Sequence, residues 1–266
     1  RMKYLPPKIA IEGHGIKRGL TAVESAILMQ EPLDKVMTMI LFGVIKKNAA
    51  TVTKRDPLRL EVADPLPEKL HGYETEFLEG FSDGKNNRVK QRAQMQKVTV
   101  NLVSSVGAKM KGFSRKETIA YYKSIMERAW TQIENANTPE IKSQMYDEAL
   151  EWTMLDEKFN DRTRDTFNRG PVYVPTWWGR YDPSYSRPAT AGRSVSAPSS
   201  SGGKSLASSM PQLPGADFAA SVVGGAQTFS EKVVGNVGDF TSKVTQKTNP
   251  VPVSTSSRSG GSGGGS

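Results

Sequence analysis

Residues 20–47, LTAVESAILMQEPLDKVMTMILFGVIKK, contain the clearest structural signals in this sequence. Thr21 opens a capping-box pattern, Thr-x-x-Glu, that predicts a helix over residues 21–30. Pro32 breaks this helix and is well placed to begin a second one, which we predict to continue to about residue 48. The apolar residues of both segments recur at helical spacing, so the stretch is expected to form two packed helices joined by a tight turn.

A hairpin is predicted directly after the two helices. TVTK (residues 51–54) and LRLEV (residues 58–62) alternate in polarity around a turn-forming Arg-Asp-Pro. Helix, tight turn, helix and hairpin is the order of a winged helix-turn-helix, and we predict such a domain over residues 20–84. The expected fold class is mainly α (α+β): a winged helix-turn-helix, then a helical bundle, then a long disordered tail rich in Gly, Ser and Pro.

This region resembles the cytosolic winged-helix region of predicted bacterial membrane proteins, the domain-of-unknown-function family 2207. The resemblance covers residues 16–82 and is carried by Leu20, Thr21, Leu41, Gly43 and Ile45, and by Glu74 and Leu78 in LHGYETEFLEGF. It implies a position on the cytoplasmic side of the cell membrane, with residues 1–19 as an extended juxtamembrane lead-in. The family offers no established catalytic residues to transfer.

Three amphipathic helices are predicted over residues 85–168, and a bundle is the simplest way for them to bury their apolar stripes. The first is strongly basic, because residues 85–116 contain Lys and Arg but no Asp or Glu. Residues 117–170 are acidic in balance, although the whole chain carries a formal charge of +9. The basic helix is therefore expected to pair with these acidic helices, or else to bind nucleic-acid phosphate or anionic lipid.

Two groups of side chains are candidate binding residues. If the most apolar positions of the second helix face the core, its outer side presents Lys35, Met39, Phe42 and Lys46. This side has no Arg, Asn or Gln for base edges, so it suits a protein partner better than a DNA duplex. The candidates for phosphate or anionic lipid are basic residues of the hairpin and of the first bundle helix: Lys54, Arg55, Arg59, Lys90, Arg92 and Lys97.

The C-terminal third of the sequence has two features. Residues 169–188 are rich in aromatic side chains, including Trp177 and Trp178, and are predicted to dock on the folded part or on a partner. Residues 189–266 are predicted to be disordered, with an 11-residue repeat at 216–247 marked by Phe218, Phe229 and Phe240. Unless the repeat is a chance pattern, this period predicts one amphipathic helix that forms on a membrane or on a coiled-coil-like partner.

Composition excludes several functional classes. The chain has no Cys and only two His, which excludes thiol nucleophiles and multi-histidine metal sites. Its longest mostly apolar run, residues 36–45, is shorter than the roughly 20 residues that a bilayer requires. We expect no catalytic residue, cofactor or metal, and a non-enzymatic interaction or scaffolding portion of a membrane-anchored bacterial protein. The alternative is a membrane-tethered winged-helix DNA-binding regulator.

Overall fold

The computed structural model describes residues 13–55, 57–82, 87–185, 212–229 and 234–249. In these ranges the chain is mainly helical, with two small antiparallel sheets of two strands each. None of the helices in the described ranges is both long and apolar enough to cross a bilayer. The predicted lead-in over residues 1–19 is described only from Gly13 onward.

The elements follow one another along the chain in the order α1 (Ala22–Leu28), α2 (Leu33–Lys46), β1 (Ala50–Arg55), β2 (Leu58–Val62), α3 (Gly72–Glu79), α4 (Arg88–Lys109), α5 (Arg115–Glu134), α6 (Pro139–Thr153), α7 (Phe159–Thr166), β3 (Pro171–Tyr173), α8 (Trp178–Tyr181), β4 (Gln212–Pro214), α9 (Gly215–Phe229) and α10 (Val237–Thr248).

The local signals near the start of the described chain are confirmed. The Thr21 side chain caps α1 by accepting a hydrogen bond from the Glu24 backbone N–H, and the Glu24 carboxylate accepts one from the Thr21 N–H. Gln30, with φ of 60°, ends this helical segment, and α2 begins directly after Pro32. Strands β1 and β2 form the predicted hairpin, with Ala50 opposite Val62.

Helix α2 lies at the centre of the molecule. Apart from Asp34, every residue from Leu33 to Ile45 is buried. Helices α1, α3, α6, α8, α9 and α10, together with β1, pack around it. A helix that is apolar on all sides is stable in water only when it is enclosed in this way.

The three helices predicted over residues 85–168 are present as α4, α5 and α6, but α4 does not pack with the other two as a bundle. Helices α5 and α6 do pack on each other, but α4 packs mainly against α1, α3 and α10. Among the described residues, one apolar core includes residues from Leu20 to Val244, on both sides of the predicted junction. The physical reason is that α2 requires cover on every side, and helices from all parts of the chain supply it.

The C-terminal segment is folded where it is described, whereas the sequence predicts a disordered tail over residues 189–266 whose repeat becomes helical only on a membrane or on a partner. Strand β4 pairs with β3, and α9 and α10 are two helices rather than one continuous helix over residues 216–247. Gly235, with φ of 73°, separates them, and a Cβ atom there would collide with the Arg92 guanidinium. Residues 186–211 and 250–266 lie outside the described residues.

Candidate interaction site around helix α2

The structure overturns the predicted outer face of α2. Met39 and Phe42 are both 0% exposed, and Lys35 is also buried. The prediction that these residues form an open docking surface is therefore wrong. It assumed that α2 has one core-facing side, whereas the helix is apolar around its whole circumference and has no outer side.

The two lysines predicted on this face lie at opposite ends of α2 and are held by the chain itself. The Lys35 Nζ lies 2.8 Å from the Glu31 carboxylate and donates a second hydrogen bond, of 2.7 Å, to the Asp156 carbonyl. The Lys46 Nζ lies 3.4 Å from the Asp147 carboxylate. Both cations are therefore part of the internal packing of α2.

The aromatic segment supplies part of the cover over α2. The ring of Phe42 lies 5.8 Å from that of Trp177 and 4.9 Å from that of Tyr181. Trp177 also donates a hydrogen bond of 2.6 Å from its indole nitrogen to the Asp147 carboxylate. Trp177 and Trp178 are buried, so of the two predicted modes, docking on the folded part is the one observed.

Helix α9 completes the cover through an aromatic pocket. The ring of Phe218 is buried among three others, at centroid distances of 4.8 Å to Trp178, 5.5 Å to Phe167 and 6.0 Å to Tyr146. Val222, one helical turn further on, is also buried. We call this arrangement the α9 groove: the surface of α2, α6, α7 and α8 on which α9 lies.

The predicted lipid-facing stripe of the repeat is turned inward. Phe218 and Phe240 are 2% and 3% exposed, so neither ring is available to a membrane in this arrangement. Helix α10, which carries Phe240, packs between α4 and α2. The side chain of Phe229 lies outside the described residues.

A glycine allows α9 to approach the aromatic cover closely. A Cβ atom at Gly225 would lie 2.1 Å from the Tyr181 hydroxyl oxygen and 3.4 Å from the Phe42 ring. The first distance is far inside van der Waals contact, so only glycine fits at this position without a shift of the helix or the ring. At Gly224, the preceding residue, an added Cβ would meet nothing within 4 Å.

A polar network, which we call the Ser221 latch, holds the same helix. The Ser221 hydroxyl donates to the Asp182 carboxylate and accepts from Arg55, both at 2.9 Å, and the Tyr181 hydroxyl donates to the Ser221 carbonyl at 2.9 Å. Burial by itself raises the pKa of Asp182, but hydrogen bonds from Ser184 and the charge of Arg55 lower it below its ordinary value. Burial raises the pKa of Tyr181 to about 12, so its hydroxyl remains a donor at neutral pH.

The carboxylates of Glu74 and Glu151 lie close together beside Gly43 of α2. A Cβ atom at Gly43 would lie 2.8 Å from a Glu74 oxygen and 3.4 Å from a Glu151 oxygen. Lys47 neutralises Glu74 through contacts of 2.7 and 2.8 Å. Burial raises the pKa of Glu151, and the Glu74 charge acts in the same direction, while Lys46 opposes it. The ionised form of Glu151 therefore destabilises the folded protein.

The predicted phosphate-binding residues are divided by the structure. Lys54 and Arg59 of the hairpin are exposed, as are Lys90, Arg92 and Lys97 of α4. Arg55 is less exposed than these residues. Its side chain belongs to the Ser221 latch, and its guanidinium carbon lies 4.4 Å from the centroid of the Tyr181 ring.

The basic helix is predicted to pair with residues 117–170, but the two ion pairs described for α4 join it to helices α3 and α1. The Lys97 Nζ lies 4.0 Å from Glu79 of α3, and Lys109 contacts Glu24 of α1. Because α4 packs on α1 and α3, its cations meet the carboxylates of those helices.

Sequence reasoning did not identify Asp182, Ser221 or Gly225 as site residues. The Gly-Gly pair within the repeat was the available signal, since a glycine inside a helix often marks close packing. Asp182 and Ser221 carry no local signal, because they come together only in the folded chain. Across the described ranges, His, Asp and Glu side chains form no group of three or more that could hold a metal ion.

The chain was compared with protein-family models, curated proteins and solved structures, and none of them matches it. Function is therefore inferred from the geometry of this chain alone.

Proposed function

We propose that this chain is a non-enzymatic interaction module whose α9 groove recognises an amphipathic helix carrying the pattern Phe-x-x-x-Val-Val-Gly-Gly. Residues 218–225 of the chain have this pattern and fill the groove in cis. A protein partner that presents a similar helix would bind by taking the place of α9. The observation that carries the proposal is the seating of Phe218 among the rings of Tyr146, Phe167 and Trp178.

The position of α9 in the chain supports exchange. It follows Tyr185 only after residues 186–211, a connection rich in Ser, Gly, Ala and Pro. A tethered segment competes for its own site at an effective concentration on the order of millimolar, so a partner must bind tightly or the tether must be cut. The α9 groove would then work as a site that is closed until a competing helix arrives.

Helix-in-groove recognition explains which contacts would give affinity and which would give selectivity. Burying aromatic and aliphatic anchors on one helical face provides most of the affinity of such complexes. Phe218 and Val222 are these anchors here. Gly225 would select against helices with a side chain at this position, and the Ser221 latch would select for a small hydroxyl.

The test uses the complete chain with a recognition sequence for a site-specific protease inserted between Ser200 and Ser201. After cleavage, we expect both pieces to elute together in gel filtration, because the contacts of α9 and α10 do not depend on the connection. A labelled peptide of residues 212–249 should then exchange into the complex, measured by fluorescence anisotropy. The Phe218→Ala peptide should bind more weakly by a factor on the order of 100.

The matched control is the Lys243→Ala peptide, which alters an exposed residue of α10 and should exchange as well as the unmodified peptide. Two results would contradict the proposal. One is a cleaved complex that never exchanges with excess peptide, which would make α9 a permanent part of the core. The other is equal competition by the Phe218→Ala peptide.

The winged-helix assignment and the cytoplasmic membrane-side location form part of the same proposal. The order α1, α2, β1, β2 supports the winged-helix resemblance. The enclosure of α2 argues against its use as a DNA-reading helix, because a recognition helix must enter a groove of the duplex.

A DNA-binding regulator is a second candidate, and the exposed Lys54 and Arg59 of the hairpin favour it. Both residues are positioned to contact phosphate without reading sequence. Binding of the complete chain to random duplex DNA should fall steeply with salt if this reading is correct. Lys54→Ser/Arg59→Ser should then reduce binding, and unchanged binding in this double variant would remove the hairpin from consideration.

A further inference from the structure

A groove lies between helices α5 and α7, away from the surfaces described above. Its volume is about 850 Å³, which is within the range of small-molecule binding sites. The connections from α1 to α2 and from α6 to α7 also line it. The apolar part of the lining consists of four side chains: Met29, Ile119, Met126 and Leu155. The groove can therefore receive a ligand with an apolar body.

Arg115 is a half-buried cation in this groove, and the chain does not supply it with a carboxylate. Its Nη2 donates a hydrogen bond of 2.9 Å to the Leu28 carbonyl, while its buried Nε has no hydrogen-bond partner. Within the described ranges, no Asp or Glu forms an ion pair with this guanidinium. A buried donor without an acceptor is unfavourable, and an oxyanion beside the guanidinium would supply one.

Arg162, the other arginine of the lining, is fully engaged by the chain. Its guanidinium nitrogens lie 2.7 Å from Glu134, 3.1 Å from Glu127 and 3.2 Å from Asp156. These contacts join α7 to α5, so the two walls of the groove are held in position before any ligand arrives. Arg115, rather than Arg162, is therefore the group available to an anion.

The two walls also carry opposite charges that the chain leaves apart. Lys123 lies on α5 about two helical turns after Arg115, and Asp165 lines the groove from α7. No ion pair joins either residue to another part of the chain that the structure describes. A ligand that carries both signs of charge would complement the two walls.

The remaining charged groups of the lining do not change this balance. They are Glu31, which lies 2.8 Å from Lys35, Asp161, which lies 4.0 Å from Arg164, and the neighbours of opposite sign Glu157 and Lys158.

We propose that this groove binds a zwitterionic ligand of dipeptide size with apolar side chains. The ligand carboxylate would lie at Arg115 and Lys123, its ammonium group at Asp165, and its side chains on the apolar lining. A purely anionic ligand would leave Asp165 without a partner, and a purely cationic one would do the same to Arg115. The lining shares no residue with the α9 groove, so this inference is independent of the proposed function.

Isothermal titration calorimetry of the complete chain with leucyl-leucine tests the proposal. We expect a Kd on the order of 0.1 mM, as is typical of a compact ligand of this size. Leucyl-leucine amide lacks the carboxylate, and N-acetyl-leucyl-leucine lacks the ammonium group. Each should bind more weakly by about 10-fold or more, because it loses one charge-assisted contact.

Two variants assign the charged contacts to residues. Arg115→Gln should weaken leucyl-leucine binding by about 10-fold or more. Asp165→Asn should abolish the preference for leucyl-leucine over its N-acetyl derivative. The matched control is Lys116→Gln, which removes the same charge from the next residue of α5, an exposed side chain outside the groove lining, and should bind normally.

Several results would overturn the proposal. Leucyl-leucine could fail to bind at millimolar concentration, or its amide could bind equally well. Equal losses in Arg115→Gln and Lys116→Gln would show that binding follows total charge. Circular dichroism checks the fold of each variant. Should Arg115→Gln unfold, the exposed Asp165 still decides the outcome, since an unchanged preference in Asp165→Asn would contradict the proposed orientation.

Discussion

Helices α2 and α4 differ in how their apolar residues are distributed, and the difference decides where each lies. Helix α2 is apolar around its circumference and is enclosed by six other helices and a strand. Helix α4 has an apolar stripe on one side and an acid-free, partly basic surface on the other. One helix therefore organises the interior, and the other presents a surface to the surroundings.

A lysine or an apolar residue in a helix can belong to a binding surface only if the rest of the helix leaves that side exposed. Lys35 and Phe42 of α2 have the residue types of an interaction surface, yet both are buried. Lys90 and Val89 of α4 are of the same types and are exposed. Burial of a large apolar side chain contributes about 1.5–3 kcal/mol, so the positions within α2 should be far more sensitive to substitution.

The largest expected effect comes from placing a charge in the enclosed helix. Phe42→Asp should lower the free energy of unfolding by about 4 kcal/mol or more, because an unpaired carboxylate would replace a ring packed against Trp177 and Tyr181. Chemical denaturation followed by tryptophan fluorescence measures this loss.

Val89→Asp makes a comparable change on α4 and should alter stability by less than about 0.5 kcal/mol, because Val89 is exposed. Similar denaturation midpoints for Phe42→Asp and Val89→Asp would contradict the prediction that α2 is far more sensitive to a new charge than α4. A folded and stable Phe42→Asp protein would show that the cover over α2 is readily displaced.

A smaller effect is expected where α9 meets the cover of α2. Gly225→Val should cost about 1–3 kcal/mol, because its side chain would enter the space of the Tyr181 hydroxyl and the Phe42 ring. We expect α9 to detach before the rest of the protein unfolds. Limited proteolysis should therefore cleave residues 212–229 faster in this variant.

Gly224→Ala is the matched control, since an added Cβ there meets nothing within 4 Å. A glycine replaced by alanine at a compatible helical position stabilises by about 0.4–1 kcal/mol. If both variants were cleaved at the same increased rate, the close approach at Gly225 would not be what holds α9 in its groove.

The smallest expected effect concerns the carboxylate pair beside Gly43. Since the folded state raises the pKa of Glu151, the ionised carboxylate destabilises the protein above its folded pKa, and this cost disappears as the pH falls toward 4. Glu151→Gln should therefore increase thermal stability at pH 7.5, by less than about 1 kcal/mol, and leave it unchanged near pH 4.

Melting temperatures of both proteins across this pH range test the sign of the effect. An equal gain at every pH would point to packing rather than ionisation. A loss at pH 7.5 would mean that the attraction of Lys46 to Glu151 outweighs the cost of burial, contrary to the direction of the pKa shift.

Local signals in the sequence predicted several elements correctly because each depends on neighbours in the chain. The cap of α1 needs only Thr21 and the residue three positions later, and the hairpin needs only two alternating segments and a turn. The starts of α5 and α6 follow in the same way from Ser114 and Thr138, whose side chains accept hydrogen bonds from the first turn. The composition of the aromatic segment predicts docking without deciding between the folded part and a partner.

The candidate site was predicted only in part. Trp177 and Trp178 were recognised as docking residues, and they do dock, but on the chain itself. The repeat predicted one helix over residues 216–247 where the structure has α9 and α10, and its apolar stripe was assigned to a membrane or a coiled-coil-like partner instead of this core. The period of a repeat defines one face of a helix and carries no information about what covers that face.

Neighbouring residues suffice to predict the cap of α1, the start of α2 and the hairpin, and they make α2 almost wholly apolar. Which segments enclose α2, and therefore which charges remain outside, follows only from the packing of the whole chain. Enclosure brings together Arg55, Asp182 and Ser221, and likewise Glu74 and Glu151, which are far apart in the chain. Such contacts depend on the competition of all apolar surfaces for one core, and no local pattern records the outcome.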